Sequence, residues 1–516
     1  MKRGLLVALL SSTCLFATEA VLRDAVFPLE PVEMGPVLDS RDFPSVDLNS
    51  IPQRILQEGT RTVFERANDP MFSAQWYYYN EGQEDDQGQA GISGADIKLF
   101  PALKVANPKK PVLMAIVDSG LDLNHEDVDP EVLWVNPGES GLDDNGEDKS
   151  SNGIDDDGNG YVDDVHGWNF VKDDNNVQDL HYHGTHVNGL LSAVANNGVG
   201  ITGGFPELKV MIIKIFGLGA TASRDKIALG IRYACDQGVK VLSNSWGSSY
   251  YNENIKSAIA YCQSKGALFV NAAGNRRNNM DVEPDYPSAY DLENQIIVGA
   301  SDHLDLSADF SNYGSMIDIA APGHRILSLL PKNKYRTFSG TSQACPMVAA
   351  AISLLWAQEP QLSWREVKER LIRTADKRLG LKRFVPTAAR LNVYNLLLNK
   401  EGEELPQTPT EGWISKDIQV ESKHPYEYNS DEKKVVHIEN AQWIRLVFER
   451  LEMDNHSDSL SLLDSQGRIV ERLNAEHKDL VSLPIQGDSV VLHLKSNHIV
   501  NHWGYKVSRV EYIPAQ

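Results

Sequence analysis

Cysteine is scarce, four in 516 residues, so a scaffold held together by a disulfide framework is excluded. Basic charge is in deficit. Lys and Arg number 49 against 71 Asp and Glu, a formal net charge of −22, and a chain without a basic balance is not expected to bind nucleic acid. Beyond residue 20 no apolar run is long enough to span a bilayer, which excludes an integral membrane segment there. No internal repeat is evident, which excludes a solenoid. What is present is globular in kind: 41% hydrophobic and 23% charged residues. The length exceeds one ordinary core and implies two or more domains. The acidic balance suits an exported chain able to hold divalent cations.

Met1-Lys2-Arg3 followed by the apolar run Gly4 to Ala17, with small residues around Thr18 and Ala20, reads as a secretory signal covering residues 1–20. Residues 21–66 carry few structural signals and are read as a propeptide or N-terminal extension. From Pro111 onward short apolar runs alternate with helical stretches. The runs are Leu113 to Val117, Leu208 to Phe216, Val239 to Leu242, Ala267 to Val270 and Gln295 to Val298. Ala222 to Asp236 and Asn252 to Ser264 are the clearest helices. This alternation predicts an α/β fold, a parallel sheet covered by helices on both faces, with its chemistry at the carboxyl ends of the strands. Residues 401–411, rich in Glu, Pro and Thr, read as a linker. Residues 412–516 turn to strand-like segments, Trp443 to Phe448, Leu460 to Leu463 and Ser489 to Leu494, and predict a small all-β sandwich. Cys235 and Cys262 fall in successive helices, either as buried free thiols or as a pair.

Four motifs carry the chemistry of acyl transfer, which needs a nucleophile, a base, a group orienting the base, and donors for the oxyanion. Asp118 closes the strand ending at Val117 and precedes Ser119-Gly120. His183 opens His183-Gly-Thr-His-Val187 and leads into a helix read as Asn188 to Ala195. Ser342 ends Phe338-Ser-Gly-Thr-Ser342, just before a helix read as Ala344 to Trp356. Asn275 ends Val270-Asn-Ala-Ala-Gly-Asn275. Taken singly, each residue has a plain structural role as a turn former, a helix-start residue or a cap. Together, and in this order, the motifs resemble those of the subtilisin-like serine proteases over about residues 67–400. Asn68-Asp-Pro70 with Gln75-Trp76, Val241-Leu-Ser-Asn-Ser-Trp-Gly247 and Ala321-Pro-Gly323 add to the likeness.

The resemblance implies a subtilisin-like fold and a secreted, monomeric endopeptidase acting on protein or peptide substrates. By it Ser342 is the nucleophile, His183 rather than His186 the base, Asp118 its orienting acid, and Asn275 an oxyanion donor. It also implies that Ser245, Trp246 and Gly247 with Ala272, Ala273 and Gly274 wall the pocket for the residue before the cleaved bond. Ser248-Ser-Tyr-Tyr, following that wall, is not acidic, which favours apolar or aromatic residues there over basic ones. The departures are Gln343, where the family often has methionine, and Cys345, near the nucleophile.

The run Asn152 to Asp164 is dense in oxygen ligands. Asp155, Asp157 and Asn159 alternate, Gly160 permits a sharp turn, and the carbonyl of Tyr161 follows, like the first half of a calcium loop. His166 stands where a closing glutamate is usual, so Asp163 or Asp164 is expected to serve. Calcium is the one cofactor expected. Glu421-Ser-Lys-His-Pro-Tyr426 and Trp503-Gly-Tyr505 resemble a CUB-type sandwich without its disulfides, a module that binds substrate or a surface, or that caps the protease.

Overall fold

The computed structural model describes residues 27–38, 68–85, 88–205, 207–454, 458–474 and 476–515. The expected signal peptide, and most of the expected propeptide or extension, lie outside them. Two short strands come first, β1 (Phe27–Pro28) and β2 (Glu33–Leu38). There follow β3 (Val112–Asp118), β4 (Gly167–Asn169), β5 (Leu208–Lys214), β6 (Val241–Asn244) and β7 (Trp246–Gly247). Then come β8 (Leu268–Ala272), β9 (Gln295–Ser301), β10 (Ile319–Pro322), a hairpin of β11 (Ile326–Leu330) and β12 (Lys334–Ser339), and the two-residue strands β13 (Asp376–Lys377) and β14 (Ala389–Arg390).

The main sheet runs in the order β13-β14-β10-β9-β8-β6-β3-β5-β4, and every pairing from β14 to β4 is parallel. Its strands are nearly continuous apolar runs because both faces are covered. Alternate residues of β3 divide between two cores. Val112, Met114 and Ile116 face one with α1 (His183–Ser192) and α4 (Thr341–Gln358); Ala115 and Val117 face the other with α2 (Arg224–Asp236) and α3 (Glu253–Ser264). The strand order reverses beside β3. A crevice at the carboxyl ends of β3 and β6 is the result, the usual place for chemistry in such sheets.

The helix starts follow from local capping. Ser223 accepts the amide of Lys226 and Asn252 that of Ile255, each satisfying a free donor of the first turn. Two expected helices shift. The first begins at His183, not Asn188, and ends at Ser192; the other begins at Thr341, so Ser342 lies inside its first turn rather than before it. Apolar residues in α4 are spread all around the helix, and it is buried throughout except at Gln358.

Cys235 on α2 and Cys262 on α3 are joined by a disulfide, with Cα atoms 5.5 Å apart, which decides between the two readings the sequence left open. Helix spacing could not choose between a pair and two thiols, since the choice depends on how the two helices face each other. Closing a loop of this length contributes about 3.5 kcal/mol by restricting the unfolded chain.

The second compact unit runs from Glu403 onward and takes in the loops Leu304–Asp309 and Lys377–Arg383. It holds β15 (Ile414–Glu421), β16 (Asp431–His437), β17 (Ala441–Glu452), β18 (Ser459–Leu463), β19 (Ile469–Leu473), β20 (Glu476–Val481), β21 (Ile485–Gln486), β22 (Ser489–Lys495) and β23 (Gly504–Pro514). One sheet is ordered β15-β23-β17-β20 with β21 also on β17, the other β16-β22-β18-β19. Ile444, Leu446 and Phe448 from the first meet Leu460, Leu462 and Leu492 from the second in a single core. Among the described residues no helix is long and apolar enough to cross a membrane.

Candidate active site

Asp118 ends β3 and His183 begins α1, and both are buried. His183 Nδ1 lies 2.9 Å from Asp118 Oδ1 and 3.0 Å from Oδ2. The two elements are held in register by Asp179, which the sequence reading did not single out. Its Oδ1 accepts the Ser119 hydroxyl at 3.0 Å, and its Oδ2 accepts the Thr185 amide at 2.9 Å and the Thr185 hydroxyl at 2.7 Å. Ser119 Oγ in turn accepts the Gly184 amide at 2.8 Å. An acid four residues before the helix start was the available signal, since carboxylates favour free helix N-termini. Burial alone would lower the His183 pKa; the Asp118 carboxylate outweighs it and holds the value above that of an ordinary histidine.

His186 is a different kind of residue. Its Nε2 lies 2.9 Å from the carbonyl of Arg336, the ring stacks on Phe338, and burial depresses its pKa to about 3. It packs α1 as a neutral ring.

Ser342 occupies the first turn of α4, and its backbone position is fixed from the residue that follows β6. Pro346, four residues on, has no N–H to give the Ser342 carbonyl; Ser245 Oγ donates to that carbonyl at 2.9 Å instead. Asn275 is oriented by Thr341, whose amide and hydroxyl donate to Asn275 Oδ1 at 2.9 and 2.8 Å. The side-chain N–H₂ is thereby aimed away from Thr341 and into the crevice.

The crevice is crossed by the chain's own N-terminal segment. β1 pairs antiparallel with β7, Phe27 opposite Gly247 and Pro28 opposite Trp246, and the Leu29 amide donates to Ser245 O at 3.1 Å. Ser342 Oγ donates to the Leu29 carbonyl at 2.9 Å, whereas Asn275 Nδ2 donates to the Glu30 carbonyl at 3.0 Å. The two donors thus hold successive carbonyls rather than one, and among the described residues His183 Nε2 has no hydrogen-bond partner. Past Pro31, the Val32 amide donates to Ser339 O at 2.8 Å and β2 pairs antiparallel with β12.

The family model of the subtilase family matches residues 109–397. The chain belongs to this family. Thermitase from Thermoactinomyces vulgaris is 33% identical over 328 residues, covering 63% of this chain and 97% of thermitase. The cell wall-associated protease of Bacillus subtilis (strain 168) is 35% identical over 312 residues, which is 60% of this chain but only 30% of that protein. The solved structure of a protease from Pseudoalteromonas arctica PAMC 21717 overlays 64% of this chain and 99% of its own with a TM-score of 0.50 at 22% identity, a likeness of fold. The family places this subtilase, by class, among the serine endopeptidases, which are hydrolases.

Gly247 and Gly274 leave a narrow space in the subtilase crevice. A Cβ on Gly247 would stand 3.4 Å from Leu29 Cδ2 and 3.2 Å from Asp285 Oδ1; Gly274, at φ +110°, would place one 2.9 Å from Asp285 Oδ2. Ala272 and Ala273 are buried beside them, and the Trp246 side chain turns into the core under α2 and α3 instead of the pocket. Asp285 was missed because no local pattern ties it to Gly247. It is buried beside the Ser248 backbone, and its Oδ2 pairs with Arg276 at 2.9 Å. Burial raises its pKa above the usual carboxylate value.

The acidic loop of this subtilase brings Asp157 and Asp164 together with Glu139, their carboxylate oxygens within 4.8 Å of one another. Asn136 Nδ2 donates to both aspartates, at 2.9 and 2.6 Å. The remaining expected ligands stand outside this group. Asp155 spends its oxygens on the amides of Asn159 and Gly160, Asn159 Oδ1 accepts the Tyr161 amide, Tyr161 packs its ring against Trp168, and Asp163 accepts the Gly153 amide. Turn amides donate to Asp157 as well, whose Oδ1 accepts the Asn159 amide at 3.0 Å. Glu139 is buried, and its Oε2 has no partner among the described residues.

Cys345 is buried at hydrogen-bonding distance from Ser243 and Val270, and burial pushes its thiol up to about 11. A thiol so protonated is a small core residue and not a reactive one.

Proposed function

We propose that the chain is an active endopeptidase in which Ser342 attacks the scissile carbonyl and His183 takes the hydroxyl proton. Asp118 fixes the imidazole tautomer and stabilises its charged form, and Asn275 with the Ser342 amide stabilises the oxyanion. His183 then returns the proton to the leaving amine, and water cleaves the acyl-enzyme by the same path. The observation that carries this reading is the peptide segment at residues 27–30, hydrogen-bonded as an added strand along Ser245–Gly247 with its carbonyls on Ser342 and Asn275. Casein hydrolysis by the wild-type chain and by Ser342→Ala tests it.

The base must be neutral to accept a proton. As pH falls through the His183 pKa, kcat/KM is therefore lost, and the acid limb is expected above the ordinary histidine value because Asp118 raises it. A pH profile in which Asp118→Asn moves that limb to lower pH supports this assignment; an unmoved limb rejects it.

A second reading concerns specificity. The Leu29 side chain at the pocket favours apolar residues before the cleaved bond, as the sequence led us to expect, whereas the buried Asp285 carboxylate beside Gly247 favours one ending in an N–H donor. Peptides varied at that position decide. A preference for Lys or Arg that Asp285→Asn abolishes establishes the second reading, and a preference for Leu or Phe the first.

Calcium fits the acidic group, since a cation would meet the unpartnered Glu139 Oε2 and relieve three converging carboxylates. Glu139, Asp157 and Asp164 would hold it, tying the 139–164 region together away from the catalytic residues. At a hundredfold excess over Kd the stabilisation is about 2.7 kcal/mol. Calcium is expected to raise Tm by several degrees, with the rise lost in Glu139→Gln; equal shifts in both chains would remove Glu139 from the site.

Secretion is supported by the Cys235–Cys262 disulfide, since such bonds persist in oxidising compartments, and by the basic and apolar start of the chain.

A further inference from the structure

The substrate segments the sequence pointed to, Ser245–Gly247 and Ala272–Gly274, lie on the side of the cleft that takes residues before the cleaved bond. The structure adds a second, longer contact on the other side. β2 lies antiparallel on the outer edge of β12, with Ser339 opposite Glu33, Phe338 opposite Met34, Arg336 opposite Val37 and Tyr335 opposite Leu38. The pairing is continuous with the segment on Ser342 through the Val32 amide and Ser339 O.

Two features of this contact concern the side chains of the docked strand. Glu33 Oε2 sits among positive and donor groups, 3.4 Å from His324 Nε2, 3.5 Å from Arg325 Nη1 and 3.5 Å from Ser339 Oγ. Arg325 is buried, its backbone amide donates to Ser339 Oγ, and its Nε lies 3.4 Å from the buried Asp85 carboxylate, which orients the guanidinium beside the strand edge and leaves Nη1 toward Glu33. Further along, Arg336 Nε donates to the Gly35 carbonyl at 2.5 Å. Meanwhile Val32, Met34 and Val37 are about half exposed, so apolar burial on that face does not hold the strand. Main-chain pairing and the carboxylate do.

We propose that the edge of β12, with His324 and Arg325, is a docking site for substrate residues beyond the cleaved bond, taking an extended polypeptide with an acidic side chain at the third or fourth position. In the intact chain residues 33–38 occupy this site, and Glu33 is its model ligand. The two positions reflect the split register at Leu29 and Glu30. A strand added to an open edge gains affinity from its backbone and selectivity from alternate side chains. Charge complementarity at Glu33 then discriminates against basic segments.

This inference rests on the proposed peptidase activity, and the test separates the two. Internally quenched peptides share every residue up to the second after the cleaved bond. One stops there, and two continue for six residues with Glu or with Lys at both the third and fourth positions. With the full chain, the long Glu peptide is expected to exceed the short and the long Lys peptides by about tenfold in kcat/KM. In Arg325→Ala the Glu-to-Lys ratio is expected to fall to within about twofold. Equal rates for all three peptides overturn the docking site while leaving the peptidase reading intact.

If none is cut, the peptidase reading fails and amide exchange decides the docking site. In the full chain carrying Ser342→Ala, Glu33→Lys is expected to speed exchange about tenfold at the amides of 334–339 that face residues 33–38. Unchanged exchange there overturns the proposal.

Discussion

Ser342→Ala is expected to lower kcat on casein by about a million-fold, leaving the slow hydrolysis that oxyanion donors and binding alone support. The size of the loss follows from the roles acting as one unit: without the hydroxyl, the base has no proton to take and Asp118 nothing to orient. The substitution should be mild for the fold. Ser342 Oγ donates only to carbonyls of Leu29 and Ser245 among the described residues, and the Ser342 carbonyl keeps its bond from Ser245 Oγ. Casein release and Tm are measured side by side. An inactive variant with wild-type Tm is the expected result, and a variant retaining a tenth of the activity removes Ser342 from the chemistry. The segment at residues 27–32 must leave the crevice first, so mass spectrometry of the active sample should show whether that stretch has been cut or displaced.

Asn275→Ala is expected to cut kcat by about 100-fold or more with KM nearly unchanged. A preorganised donor acts where charge develops, and Thr341 preorganises this one by holding Oδ1 with two hydrogen bonds. The oxyanion gains from the aimed N–H more than the ground-state carbonyl does, so the loss falls on turnover. Steady-state kinetics on one peptide substrate give both constants. A large rise in KM with kcat preserved would make Asn275 a ground-state binding residue, consistent with no more than its bond to the Glu30 carbonyl.

Much of this was legible in the chain. The strand from Val112 to Asp118 is a continuous apolar run because both faces are covered, and the run itself announces that. Asp118 ends a strand, His183 and Ser342 lie in the first turns of helices, and Asn275 follows a strand by three residues, each within a short motif. The errors were also local in origin. The start of α1 was expected at Asn188, yet Asp179 accepts the Thr185 amide from outside the motif and the helix begins at His183. In the acidic run, alternation along the chain could not show that Glu139, outside it, comes within reach of Asp157 and Asp164.

What the sequence by itself determined is therefore the parallel α/β architecture, the family, and the four residues on which the chemistry is proposed to rest. Apolar periodicity and short motifs are set within a few residues of one another, and so can be read along the chain. Only the tertiary structure decided that Cys235 meets Cys262, that Glu139 faces Asp157 and Asp164, that Asp285 underlies Gly247, and that Leu29 reaches Ser342 from 313 residues away. Those meetings are made by packing whole elements against each other. The free energy that selects them is spread over both cores, and no short stretch of sequence carries it.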